Sequence, residues 1–288
     1  MLTYKCASCG GQMEFGGAGG FACPFCGSRA FMSDKDFEGN ERFRAKLLSY
    51  YKSEAIRKES DYTKDRFWEM RGTDTYTLAS GQALNIEYMD KQINTGYTFY
   101  IARQTLGYVF ETAKEAAVFK QGLSRLAFPP ADTKLARSFP ELKSELTLED
   151  QRTVLVYKRN PNFYPASLFA PYESVHLAWI ISRMENICCA LAYAGITHGG
   201  ISPDTVFINP VTHEGALFGD WRNVNDLTDK TDLISLRKAA IELARDTAEP
   251  KELYRFLNSR PASDAFEDFK AWDKVIEQGF GGHNFVKM

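Results

Sequence analysis

Two groups of residues in this chain have types and spacings that carry chemistry. The first is Cys6-x2-Cys9-x13-Cys23-x2-Cys26. Four thiolates suit tetrahedral Zn2+, and each C-x-x-C pair forms a tight knuckle that aims both sulfurs inward. Gly10 and Gly27 directly follow the second Cys of each pair. Glycine permits the positive-φ turn that brings backbone N–H groups toward the sulfurs. The second group is the loop ITHGGISPDTVFINP, residues 196–210, with GALFGDW shortly after it. The loop is shaped for catalysis: an apolar pair, a His, a polar turn, a Pro and a β-like run. Yet it holds Gly and Thr where chemistry would want an acid and an amide.

The cysteine site is expected to be structural, with one zinc per chain, because four thiolates leave no open position for water. The segment is short and Gly-rich, too small to bury a core, so metal ligation is expected to supply its stability. A redox dithiol would need a strand–helix context that residues 1–30 lack. The other two cysteines, Cys188 and Cys189, are adjacent in an apolar stretch and read as small buried filler.

The elements that must position these groups follow from periodicity. ERFRAKLLSYYKSEAIRKES predicts a helix over 41–59, with Phe43, Leu47, Tyr50, Tyr51 and Ala55 at helical spacing. Its mixed charges suit a solvated face before a nucleic-acid surface. TYTLAS, ALNIEYM and YTFYIAR predict strands, with turns at SGQ and INTG. Residues 111–126 predict a helix, and FPPADTKLARSFP and LTLEDQRTVLVYKR further strands. Leu177, Ile180, Ile181, Met184, Ile187, Cys188 and Leu191 form a buried stripe on a long helix, closed by Gly195. TVFINP and GALFGDW read as short strands. TDLISLRKAAIELARD, PKELYRFLNSR and DAFEDFKAWDKVIEQGF read as helices.

Taken in order, these features resemble the catalytic region of the protein-kinase family, whose pattern is H-R-D-L-K-P-x-N followed by D-F-G. The resemblance covers residues 75–288. It implies an α+β fold: a small zinc ribbon (1–32), a charged helical linker (33–72), a strand-rich small lobe (73–160) and a helical large lobe (161–288). His198 and Pro203 match the motif, and Asp220 matches the Asp of D-F-G, with Trp221 and Arg222 in place of Phe and Gly. Gly200 stands where the family has its catalytic Asp, and Thr205 where an Asn would hold a metal ion. Asp232 fits the acid that opens the central helix of the large lobe. In the small lobe, Gly81 is the one glycine kept in LASGQALNIEY, the expected phosphate-covering loop. Tyr100 or Arg103 stands for the phosphate-binding Lys, and Glu115 for the helix Glu that would pair with such a cation.

Glycine cannot accept a proton, and Thr is a poor Mg2+ ligand beside an amide or carboxylate. The resemblance therefore implies a catalytically degraded member of bacterial or phage type, a pseudokinase that uses neither nucleotide nor Mg2+. The expected role is a binding or scaffold protein with a protein partner. Two alternatives stay open: an enzyme with an altered phosphoryl- or nucleotidyl-transfer site, motivated by Asp220, and a nucleic-acid accessory factor using the ribbon and helix 41–59. The net charge of −2 gives no global pull toward nucleic acid or anionic membrane. MLTYKCASCG has no apolar signal core, and no apolar run approaches membrane-helix length, so a cytoplasmic protein without membrane contact is expected.

Overall fold

The computed structural model describes residues 6, 8–11, 13–17, 20–31, 71–130, 135–160, 163–210, 212–245 and 250–283. The helix expected over 41–59 lies outside the described residues. The chain divides into two compact units, one of residues 1–111 and 143–162, the other of 112–142 and 163–288.

The first unit begins with an antiparallel three-stranded sheet of β1 (Glu14–Gly17), β2 (Gly20–Ala22) and β3 (Arg29–Phe31). It does bury a minimal core: Met13 and Phe21 pack with Cys6 and Cys23, and Ala30 lies against them. Half of that cluster is metal-ligating residue types, so burial and ligation are coupled within it.

A hairpin of β4 (Gly72–Thr77) and β5 (Ala83–Tyr88) forms its own two-stranded sheet. Alternation puts Asp74, Tyr76, Leu84, Ile86 and Tyr88 on one face and threonines on the other. The inner face packs on Tyr100, Val109 and Val154 of a five-stranded sheet. That sheet runs in the order β6 (Asp90–Asn94), β7 (Tyr97–Ile101), β8 (Thr105–Phe110), β10 (Thr153–Lys158), β9 (Leu142–Thr147). Two of its strands, β6 and β8, are absent from the sequence-based expectation. The central β8 is buried along nearly its whole length, so it shows no alternation to read. Gly107 in β8 lies opposite Tyr100, whose Cβ is 3.5 Å from where a Gly107 Cβ would sit, and this leaves room for the ring.

The second unit begins with helix α1 (Ala113–Ser124). Thr112 caps it: its Oγ1 accepts from the Glu115 backbone N–H at 3.2 Å. This T-x-x-E pattern is a capping box. The described part of FPPADTKLARSFP holds no strand. It holds a short 3-10 turn at Leu135–Ser138, and Pro129 and Pro130 bring no N–H to a ladder. The long helix is α2 (Ser174–Tyr193), and its predicted stripe is buried throughout. Gly195 follows at φ 69°, as its place after the helix requires. The loop of interest runs between β12 (Ile196–Thr197) and the hairpin of β13 (Val206–Asn209) and β14 (Glu214–Leu217), with β11 (Tyr164–Pro165) beside β13. β12 pairs with β15 (Asn225–Asp226). Helices α3 (Thr231–Leu243), α4 (Lys251–Asn258) and α5 (Ala265–Phe280) complete the unit. At their centre Arg237 donates to Glu185 (3.2 Å), Asp268 (2.7 Å) and the Phe256 carbonyl (3.1 Å). No helix among the described residues is long and apolar enough to cross a membrane.

Candidate functional site

The four ribbon cysteines come together. Their sulfurs all lie within 4.8 Å of one another, with Cys6–Cys26 and Cys9–Cys23 at 3.5 Å. A tetrahedral ion with Zn–S bonds of about 2.3 Å separates its sulfurs by about 3.8 Å, so the group fits one such ion. Each knuckle is closed the same way. Gly10 N–H donates to Cys6 O and Gly27 N–H to Cys23 O, at 2.8 and 2.9 Å. The two glycines sit at φ 71° and 72°, where a side chain would be strained. Backbone N–H groups of Cys9 and Ser8 pull the Cys6 thiol down to about 6. At Cys9 the Gly11 N–H is outweighed by the neighbouring sulfurs, which push the thiol up to about 12, so the four sulfurs share the charge unequally.

The loop in the second unit is held by a single buried acid. Asp232, in the first turn of α3, accepts the backbone N–H of His198 at 2.8 Å and of Gly199 at 2.7 Å. Burial raises its pKa, and the two amide bonds work against that rise. Gly199 takes φ 75°, which lets the chain present both amides in succession. His198 is buried and its ring meets Trp221 edge-on at 4.6 Å. Its Nδ1 accepts from the Gly200 N–H at 3.2 Å. Burial pushes the imidazole down to about 4 against the charge of Asp220, so it is neutral at physiological pH.

Gly200 and Thr205 are turned inward on the loop's own structure. The Thr205 hydroxyl donates to Gly200 O at 2.6 Å and accepts from Ser202 N–H at 2.9 Å. That hydroxyl is consumed in shaping the turn. Asp220 is equally occupied. Its Oδ1 accepts from the Arg222 N–H (3.0 Å) and Nε (2.9 Å), and its Oδ2 from Arg222 Nη2 (2.7 Å). The third face of the same guanidinium reaches Glu115 Oε1 at 3.0 Å. Glu115 is thus paired with Arg222. Arg222 is the residue sequence reasoning passed over. It was visible only as a departure from D-F-G, and its partner Glu115 is 107 residues away.

The small-lobe positions lie in two separate sheets of the first unit. Gly81 (φ 83°) turns the separate β4–β5 hairpin, which precedes the five-stranded sheet. The first hairpin of that sheet, β6–β7, turns instead at Gly96 (φ 81°). Tyr100 lies in its second strand, fully buried. The Tyr100 hydroxyl donates to Asp74 Oδ2 at 2.6 Å and pairs with Tyr76, and Asp74 is also paired with Lys91. Burial opposes the Asp74 charge, yet the Lys91 and Tyr100 bonds hold its pKa below the ordinary value. Tyr100 is therefore part of a structural polar cluster. Arg103 sits in the β7–β8 turn, where its carbonyl accepts from Arg159 Nη1 at 2.9 Å. The third strand of the sheet reads TLGYVF and holds no Lys either.

No family model and no curated protein matches the chain. Solved structures do show likeness. One is WbdD in a co-crystal with the kinase inhibitor LY294002, at 18% identity over 67% of this chain and 46% of that one, TM-score 0.48. The chain thus spans less than half of WbdD's length. A second is the BubR1 kinase domain, at 12% identity over 67% of this chain and 80% of that one, TM-score 0.49. A third is vaccinia related kinase 3, at 13% identity over 77% of this chain and 85% of that one, TM-score 0.45.

Proposed function

We propose that this protein is a kinase-like binding module that carries a structural zinc in its ribbon and does not transfer phosphate. The order of elements supports the kinase-like reading: an antiparallel sheet, a capped helix, a long buried helix, the His198 loop gripped by Asp232, a hairpin, then Asp220. One observation carries the loss of catalysis. Position 200, where the family pattern places the proton-accepting acid, is a glycine, and the Thr205 hydroxyl is bonded within the turn, donating to Gly200 O and accepting from Ser202 N–H. Phosphoryl transfer needs a residue that orients the attacking hydroxyl and metal ions that neutralise the phosphates. Gly200 does not supply the first, and the Thr205 hydroxyl is already bonded to Gly200 O and the Ser202 N–H.

The ribbon then serves as a docking element for a protein or nucleic-acid partner, and the kinase-like body as the scaffold that presents it. The test is incubation of the zinc-loaded chain with ATP or GTP and Mg2+, read as label transfer and as a melting shift. A ligand at 100-fold its Kd stabilises by about 2.7 kcal/mol, so binding is readily seen. Absence of label transfer is expected. Label transfer lost in Asp220→Ala would replace this reading with an altered enzyme. A steep fall of RNA or DNA binding with salt would assign the partner as nucleic acid.

A further inference from the structure

A carboxylate has about four lone-pair positions, and a metal ion must find some of them free. Asp220 offers few. Its two oxygens accept four contacts, three of them from the Arg222 side chain (2.9, 3.1 and 2.7 Å) and one from the Arg222 backbone (3.0 Å). The Arg222 side chain is only 17% exposed, and its remaining fork is spent on Glu115. A planar guanidinium on a carboxylate is a strong, directional pair, and arginine stays charged at all physiological pH.

The same segment is fastened to α1 at two further points. Gly122 faces it so closely that a Cβ there would lie 1.9 Å from the Trp221 carbonyl oxygen. One turn on, Arg125 Nη1 donates to Val224 O at 3.3 Å and Arg125 Nη2 pairs with Asp226 at 2.5 Å. Residues 115, 122 and 125 are spaced by seven and three, so all three points lie on one face of the helix. Trp221 between them is fully buried against His198 and Phe139.

We propose that Arg222 is a built-in cation that takes the place of a divalent metal at Asp220 and bolts α1 to residues 220–226. This deepens the non-catalytic reading and rests on it, since Asp220 is the acid of the family's metal-binding class that this chain keeps. The bolt makes helix and segment one rigid piece and closes the carboxylate to Mg2+ or Mn2+. The site is a metal position converted into an internal salt bridge.

Mn2+ titration of the zinc-loaded full chain, with free Mn2+ read by electron paramagnetic resonance, tests this. The wild type is expected to show no Mn2+ binding that Asp220→Ala removes. Arg222→Met keeps the stem, frees both carboxylates and is expected to gain about one Mn2+ per chain, lost again when Asp220→Ala is added. Wild-type Mn2+ binding that Asp220→Ala abolishes would overturn the bolt while leaving the non-catalytic reading intact, which stands on Gly200. A folded Arg222→Met with no gain would overturn it too. Should that variant not fold, hydrogen exchange in the wild type decides. Amides of 113–125 and 220–226 exchanging as one unit supports the bolt, and independent exchange overturns it.

Discussion

The Asp232 carboxylate holds the His198 loop by its backbone, accepting the His198 and Gly199 N–H groups at 2.8 and 2.7 Å across 34 and 33 residues of sequence. Asparagine has the same shape but one acceptor oxygen. Asp232→Asn should leave one buried amide facing an NH2 group. The expected loss is about 1–3 kcal/mol, read from denaturant midpoints. A neutral outcome would mean the loop is held elsewhere.

His198 links this clamp to pH. Its imidazole is held near 4 by burial, against 6.5 for the ordinary group. Between those values the unfolded chain binds a proton that the folded chain refuses. Stability should therefore fall as pH drops from about 6.5 to about 4, by up to ~3 kcal/mol from this group. The check is the difference between wild type and His198→Gln, melted at both pH values. If both lose the same stability, the imidazole is not the cause. His198→Ala should cost about 2–4 kcal/mol at pH 7 through its cavity and the unpaired Gly200 N–H.

Gly122 tests the close approach of α1 to Trp221. In an exposed helix, Gly→Ala stabilises by about 1 kcal/mol. Here the new methyl would strike a backbone oxygen 1.9 Å away. Gly122→Ala should instead destabilise by about 1–3 kcal/mol. A rise in melting temperature would show that the segment is free to move aside.

Gly200→Asp tests the reading of the loop. A Cβ there would lie 3.2 Å from the His198 ring, which must yield by a few tenths of an ångström. The variant should fold with a loss of about 1 kcal/mol and still transfer no phosphate, because Thr205 remains bound within the turn. Transfer gained by this single change would show that the rest of the machinery is complete.

The ribbon should hold about one zinc per chain, and Cys6→Ser or Cys23→Ser should lose it. Loss should melt the β1–β3 sheet, whose core includes both cysteines, and leave the Asp232-held unit folded. Metal analysis of chelator-free protein gives the first answer. Far-ultraviolet melts of the variants give the second.

Local features were legible in the residue order alone. The cysteine spacing with its glycines announced the knuckles, because each is closed by contacts within six residues. The helices declared themselves through apolar stripes, since a helix buries one face and repeats every 3.6 residues. That glycine stands at 200 and threonine at 205 needed no coordinates. What only the tertiary structure decided was which distant elements meet. Strand order in a sheet depends on pairing rather than on composition. The β4–β5 hairpin therefore stands as a sheet of its own, and Tyr100 falls in the second strand of the five-stranded sheet. Asp220 told the same story. It looked like an available ligand in the sequence, and became an occupied one once folding brought Arg222 onto it and Glu115 onto Arg222. Side-chain charge is written in the sequence. The partner of each charge is set by the fold, because ion pairs form between groups close in space however far apart they lie along the chain.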